Sequence, residues 1–333
     1  MLIEHEALWG QWHMVAEATD VEGGPLAVKL LGVDYVVWRG PDGKLVAAPD
    51  RCPHRQAPLS AGKVTDGCVV CPYHGWSFGG EGRCVTVPSS GIGRPVPPKA
   101  HLATIHVEEK YGLVWLCPGE PVGTIFACHY EDDPSFRRIN SGVDVWTTNG
   151  LRMCDNFMDI SHFPWVHTGT FGTTQQMQVP HIDLGPLDDG FFGYSYDVAA
   201  GNASAEGNVA SGTADAELVH RHMSTGFHLP FTVRSTIRYE SGLEHIILML
   251  STPIDDVTSY FTFVIWRNDD FSVPAEEVIA FDRAIGAEDK RMLELVPGIL
   301  PLDQTQTVSV QSDKASVEWR RQLAAMLGQR AGG

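Results

Sequence analysis

Between residues 52 and 74 the chain carries Cys52-Pro53-His54, sixteen intervening residues, and then Cys71-Pro72-Tyr73-His74. Written as spacing this is C-x-H-x16-C-x2-H, two short loops that each offer one thiolate and one imidazole. Zinc accepts the same donor types, so the donor count alone does not choose the metal. The arrangement does. Common zinc knuckles pair two cysteines in one half and two histidines in the other. A [2Fe–2S] centre with sulfur donors on one iron and nitrogen donors on the other takes one of each from each loop, because the cluster sits between the loop tips. A chain bound to that geometry must hold two stiff loops side by side on a small scaffold. Cys68 adds a competing Cys68-x2-Cys71 spacing, but it has no matching second pair and reads as a buried thiol.

The surrounding sequence supplies such a scaffold. Tyr35-Val36-Val37-Trp38-Arg39 is β-branched and aromatic, Gly40-Pro41-Asp42-Gly43 turns, and Lys44-Leu45-Val46-Ala47-Ala48 returns, which predicts a hairpin. The first ligand loop follows at once, stiffened by Pro53 and Pro58. Ser77 to Val85 predicts a second hairpin, 88–98 an irregular segment, and Leu113-Val114-Trp115-Leu116 a last strand. Residues 1–118 therefore read as an antiparallel β domain with metal at its loop tips. A connector over 119–143 contains Glu131-Asp132-Asp133-Pro134, and 144–333 forms a second domain.

Composition narrows the partners. A formal charge of −17 over 333 residues argues against nucleic acid or an anionic membrane surface. No apolar run approaches the ~20 residues of a membrane span. The opening Met1-Leu2-Ile3-Glu4-His5-Glu6 lacks a signal pattern, which predicts a cytoplasmic protein. Seven cysteines at irregular spacing do not resemble a disulfide framework.

In the second half the periodicity turns helical through Leu151, Cys154, Phe157 and Met158 to Ser161. Strands dominate from 190 to 267, the Gly/Ala/Ser-rich stretch 199–214 reads as a loop, and a long helix is predicted from Pro274 to Val296. Ser312 to Leu327 reads as a surface helix, so the half is α+β. On its first helix lies Asn156-x2-Asp159-x2-His162-x4-His167. Asp159 and His162 share a face at i and i+3, whereas His167 needs Pro164 to end or kink the helix between them and swing it back. Two histidines with one carboxylate form the facial triad of mononuclear non-haem iron, with positions open for O₂. The carboxylate comes from elsewhere. Asp289 stands in the long helix among Ile285, Met292, Leu293 and Val296, where an unpaired acid is costly. Its neighbour Glu288 is the alternative on that helix, and Glu294 a weaker one.

Taken together, these motifs resemble the Rieske non-haem iron oxygenases, α-subunit, over nearly the whole chain, down to Pro-Tyr-His-Gly-Trp after the second cysteine. The resemblance implies that Cys52, His54, Cys71 and His74 hold the [2Fe–2S] cluster. It assigns a mononuclear Fe²⁺ to His162, His167 and Asp289, the last within Glu288-Asp289-Lys290. Asp159 would bridge His162 to His74 of a neighbouring subunit, and Asn156, or Asp155, would stand near the iron. The implied fold is a helix-grip (START/Bet v1-like) catalytic domain behind the Rieske domain. The chain's length is similar to that of homotrimeric monooxygenases such as the dicamba, vanillate and toluenesulfonate demethylating enzymes. The implied reaction is O₂-dependent hydroxylation or oxidative demethylation of an aromatic or small polycyclic molecule.

One [2Fe–2S] centre stores one electron, while O₂ activation needs two from outside. No G-x-G-x-x-G follows a strand, so the electrons must come from NAD(P)H through a separate reductase, with or without a ferredoxin. Substrate should enter between sheet and helices, over 190–290, where His222, His228, His245 and Trp266 are candidate contacts. Three rival readings stand beside it: a cis-dihydroxylating dioxygenase with the same iron, an electron carrier with no mononuclear iron, and a zinc-binding structural module, which would be colourless.

Overall fold

The computed structural model describes residues 1–91, 94–174, 177–201, 205–213, 218–303 and 305–328. The chain divides into two compact units, Ile3–Ile125 and Phe126–Gly333. The stretch read as a connector is divided between them, and Arg137–Asn140 is a strand of the second unit's sheet.

The first unit is built of small antiparallel sheets. A short helix α1 (Glu6–Trp9) precedes β1 (His13–Glu17), which pairs with β10 (Leu113–Cys117) and through it with β9 (His106–Lys110). A second sheet runs β2 (Leu26–Leu30), β3 (Val33–Arg39), β4 (Leu45–Pro49). The β3–β4 hairpin forms where the sequence predicts it, with Val36, Val37 and Trp38 fully buried. Its turn closes through Gly43 N donating to Gly40 O, with Gly43 at φ +78°, which a glycine adopts without a Cβ clash. A third sheet, β5 (Lys63–Thr65), β6 (Cys68–Val70), β7 (Ser77–Phe78) and β8 (Cys84–Thr86), carries the second ligand loop between β6 and β7. Cys68, expected to be buried, is half-exposed at the start of β6, because it opens the strand beside the exposed turn at Asp66 and Gly67.

The second unit is one large antiparallel sheet with helices. Its order is β11 (Arg137–Asn140), β18 (Ser259–Arg267), β17 (Glu244–Pro253), β16 (Thr232–Tyr239), β15 (Leu218–His228), β14 (Phe192–Gly201), β13 (Gly185–Pro186), with β12 (Asp144–Trp146) also on β18. Helix α2 spans Gly150–Phe157, with the Asn149 side chain accepting from Leu151 N as its N-cap. It is shorter than its periodicity predicts. Asp159 accepts the backbone N–H groups of Ser161 and His162, and that local turn replaces another helical turn. A single further turn, α3 (Phe163–Val166), then begins with Pro164 in its first positions. The proline therefore starts a helix and does not kink one, since it needs no N–H partner there.

The segment 199–214 is also more ordered than read. β14 continues to Gly201, and α4 (Ala205–Ser211) follows, with the Arg267 guanidinium donating to the carbonyls of Val209 and Ala210 at its end. Residues 202–204 and 214 lie outside the described residues. The long helix α5 (Ala275–Leu293) starts behind Pro274, with Glu276 and Glu277 in its first turn and Lys290 and Arg291 in its last, each sign complementing the helix dipole. Helix α6 (Lys314–Met326) is not a surface helix. Its Trp319 and Leu323 are fully buried, and Ser316 donates to Asp155 O on α2. No helix among the described residues is long and apolar enough to cross a membrane.

Candidate metal centres

The two cysteine–histidine loops are closed in matching ways. Cys52 N donates to Ala57 O and Gln56 N to Cys52 O; Cys71 N donates to Trp76 O and Gly75 N to Cys71 O. The fourth residue after each cysteine takes the left-handed conformation, Gln56 at φ 61° and Gly75 at φ 71°. Each turn buries its cysteine and leaves its histidine exposed. The His54 and His74 rings meet at 4.5 Å between centroids, and Trp76 stacks flat on His54 at 4.5 Å and 4°. Burial, and after it the adjacent Cys71 thiol, push Cys52 up to about 11. All seven cysteines are free. Two sulfurs thus lie together below two imidazoles, the donor pairing that a [2Fe–2S] cluster with mixed ligation takes.

The second centre gathers His162, His167 and Asp289. His162 Nε2 and His167 Nε2 are 3.1 Å apart, and each is 3.5 Å from Asp289 Oδ1. Donors ~2.1 Å from one ion at right angles lie about 3 Å apart, so these three atoms can share one coordination sphere. They are the one such His/Cys/Asp/Glu group found among the described residues. Two like imidazole nitrogens at that distance, with a buried carboxylate facing both, form a donor set that a divalent cation satisfies.

Each donor has its own support. Asp159 Oδ2 accepts from His162 Nδ1 at 2.9 Å, while its Oδ1 accepts from Ser161 N and Oγ. Glu288 Oε2 accepts from His167 Nδ1 at 3.1 Å and from the Thr170 hydroxyl, and its Oε1 accepts from Gly169 N. Asn156 Nδ2 donates to Asp289 Oδ1 at 2.9 Å. Carboxylates behind metal-bound imidazoles fix which nitrogen faces the ion and raise its basicity. Burial alone lowers His162, but the hydrogen bonds and charges of Asp159 and Asp289 outweigh it and hold the ring up at about 9. That negative field favours a cation at the Nε2 atoms. For His167 burial wins, and its pKa is lowered. Asp155 faces away from the triad, toward Arg320 at 3.2 Å; burial, with neighbouring acids adding to it, pushes it up to about 6. Glu294 accepts from Thr147 N and is exposed.

The part that Glu288 plays is not legible in the sequence, where it reads as a substitute for Asp289, since neighbouring positions on a helix do not face one point. Both acids are buried, at 7% and 5% exposure, because they reach around α5 to different sides of the same histidine. The apolar stripe that drew attention to Asp289 is incomplete, with Met292 exposed.

The triad opens on a cavity between α5 and the inner face of β15–β17, lined by apolar side chains such as Phe157, Phe171, Met223, Ile237 and Phe281. Of the four aromatic or imidazole contacts considered from sequence, only His245 lines it. His222 is exposed and bonded to Asp197, His228 bonds Leu229 O, and Trp266 donates to Glu131. Arg221, which no motif marked, also lines it.

Comparison with known proteins follows both units. The Rieske [2Fe-2S] domain model matches residues 11–97, and the vanillate O-demethylase oxygenase C-terminal domain model matches 146–329. Methylxanthine N1-demethylase NdmA of Pseudomonas putida is 32% identical over 96% of this chain and 89% of its own. The vanillate O-demethylase oxygenase subunit of Pseudomonas sp. strain HR199 is 28% identical over 95% and 94%. The solved structure of NdmA from Pseudomonas putida CBB5 with caffeine aligns at a TM-score of 0.82 and 29% identity, covering 98% of this chain and 93% of that one. An electron carrier without a catalytic domain does not fit matches that run through both halves. The chain belongs to the Rieske non-haem iron oxygenases: it is an oxidoreductase, the oxygenase component of a system whose electrons arrive from a separate reductase.

Proposed function

We propose that this oxygenase removes a methyl group from the oxygen or nitrogen of an aromatic or heteroaromatic molecule. The observation that carries the reading is the buried His162–His167–Asp289 triangle opening on a mostly apolar cavity of ring-binding character, in a chain whose relatives are named as N- and O-demethylases. When bound, the cluster relays single electrons and the mononuclear iron activates O₂. The protein's part is placement. Asp159 and Glu288 hold the two imidazoles with Nε2 forward, and Asn156 holds Asp289 by its inner oxygen. The apolar walls seat the ring and keep bulk water from the methyl carbon. In balance, O₂, two electrons and two protons turn the methyl into a hydroxymethyl plus water. The hydroxymethyl then collapses to formaldehyde and the demethylated product.

The chain is read as a homotrimer in the cytoplasm, where NAD(P)H is supplied and its free cysteines stay reduced. In that trimer Asp159 accepts a hydrogen bond from His74 of the neighbouring subunit as well as from His162. The test is a panel of methoxy- and N-methyl-aromatics given to iron-replete enzyme with a surrogate reductase, NADH and ¹⁸O₂. Formaldehyde should appear in step with O₂ uptake, with one labelled oxygen atom in water. A cis-diol carrying both labelled atoms would mean dihydroxylation instead.

A further inference from the structure

The inner face of β15 alternates as a buried strand should, with Val219, Met223 and Thr225 pointing inward, yet the inward position between the first two is Arg221. Arg221 is 8% exposed as a residue and lines the cavity that holds the iron triad. Every other charged group around that cavity has a counterpart. Asp289 faces the two histidines, and Asp282 Oδ2 lies 3.3 Å from His245 Nε2, close in space though not hydrogen-bonded. Arg267, behind His245, is paired with Asp269 at 2.7 Å. Arg221 has no carboxylate within ion-pair distance among the described residues, and its buried Nε finds no hydrogen-bond acceptor. The Phe171 ring lies 5.0 Å from the guanidinium carbon, and Tyr196 is close enough for the charge to act on its hydroxyl. A largely buried cation with no anionic partner among the described residues is costly to maintain, and an anion arriving in the cavity relieves that cost.

Phe171 also sets the span. The same ring stacks on the iron-site His167 at 4.8 Å and 27°. Arg221 thus stands about one aromatic ring away from the triad. We infer that Arg221 is the specificity-determining residue of this oxygenase, binding the anionic group of a single-ring aromatic acid whose methyl lies at the triad. The inference rests on the demethylase reading above and narrows it to methylated aromatic acids, whose planar anion matches the guanidinium fork. Neutral methylated heterocycles lack the charge that Arg221 needs.

The test titrates 3- and 4-methoxybenzoate and the matched methoxybenzamides into the iron-replete enzyme by calorimetry. Acid and amide have nearly the same shape, so the ratio of their affinities reads the charge alone. Wild-type enzyme should hold the acids about thirtyfold or more tighter than the amides. Arg221→Met should abolish that preference while keeping its iron content and the cluster's EPR signal. Equal affinity for acids and amides in the wild type overturns the assignment, as does a preference that survives in Arg221→Met. The wild-type comparison decides the matter by itself if the variant does not fold. Formaldehyde release from amides as readily as from acids removes the role of Arg221 and leaves demethylation standing. Tight, Arg221-dependent binding of acids with no formaldehyde from any ligand removes demethylation and leaves the anion site standing.

Discussion

Glu288 and Asp289 are adjacent acids on one helix with separate tasks: Asp289 faces both imidazole Nε2 atoms, and Glu288 grips His167 from behind. Replacing a ligand removes a donor, whereas replacing a support only loosens one. Asp289→Ala should therefore lose the mononuclear iron and keep the absorption and EPR signals of the [2Fe–2S] cluster. Glu288→Gln should still bind the iron, with affinity lower by about 10- to 100-fold. Iron content against chelator concentration separates the two, and a Glu288 variant that behaves like Asp289→Ala would exchange their roles. In the other unit, His13 is 2% exposed, and its Nε2 is 2.8 Å from Leu8 O. Burial lowers its pKa to about 4, only partly offset by that hydrogen bond. The fold favours the neutral ring, so its contribution is complete above about pH 6.5 and is lost as pH falls toward 4. The loss amounts to roughly 3 kcal/mol. A plot of unfolding midpoint against pH should be flatter over that window in His13→Gln than in the wild type, and parallel curves would exclude the effect.

At the scale of elements, the iron-site histidines depend on a break in the chain. α2 stops at Phe157, the Asp159 turn presents His162, and α3 carries the backbone through one turn to His167. Gly172 closes that segment: its N–H donates to His167 O, and a Cβ there would lie 2.4 Å from Phe163 O and 2.7 Å from His167 O. Gly172→Ala must push the α3 turn outward and carry His167 with it. The expected outcome is a marked fall in mononuclear iron with the [2Fe–2S] signal unchanged; full iron occupancy would show that the turn can yield elsewhere. The histidine spacing was legible in the sequence, and so was an interruption at Pro164, but the earlier stop at Phe157 was not. Periodicity at Leu151, Cys154, Phe157 and Met158 suggests a continuing helix, and it does not register a side chain such as Asp159 that captures backbone N–H groups two and three residues on. α4 was hidden for a different reason, a contact between distant segments. Its small residues have little helical signal, and Arg267, which holds its end, is more than fifty residues away in the chain.

For the molecule as a whole, the proposed trimer makes Asp159 the one residue on which both centres depend. Its carboxylate accepts from His162 within a single chain. Asp159→Ala should keep about three iron per chain, two in the cluster and one at the triad, yet turn over almost nothing. Normal turnover in that variant would remove the bridge, and loss of the third iron would make Asp159 a support for binding alone. What the sequence determined by itself is the chemistry: the donors for two metal centres are covalently close, in C-x-H, C-x2-H and D-x2-H-x4-H, and short spacing survives translation into any fold. Alternating and helical periodicities also placed most strands and the long α5. Only the tertiary structure decided what depends on contacts between distant segments. It brought Asp289 to the histidines and put Glu288 behind one of them. It buried α6, and it placed Arg221 at the cavity with no carboxylate in ion-pair distance among the described residues. A charged residue in a strand looks the same in sequence whether it faces water or the core, and only the packed sheet tells which.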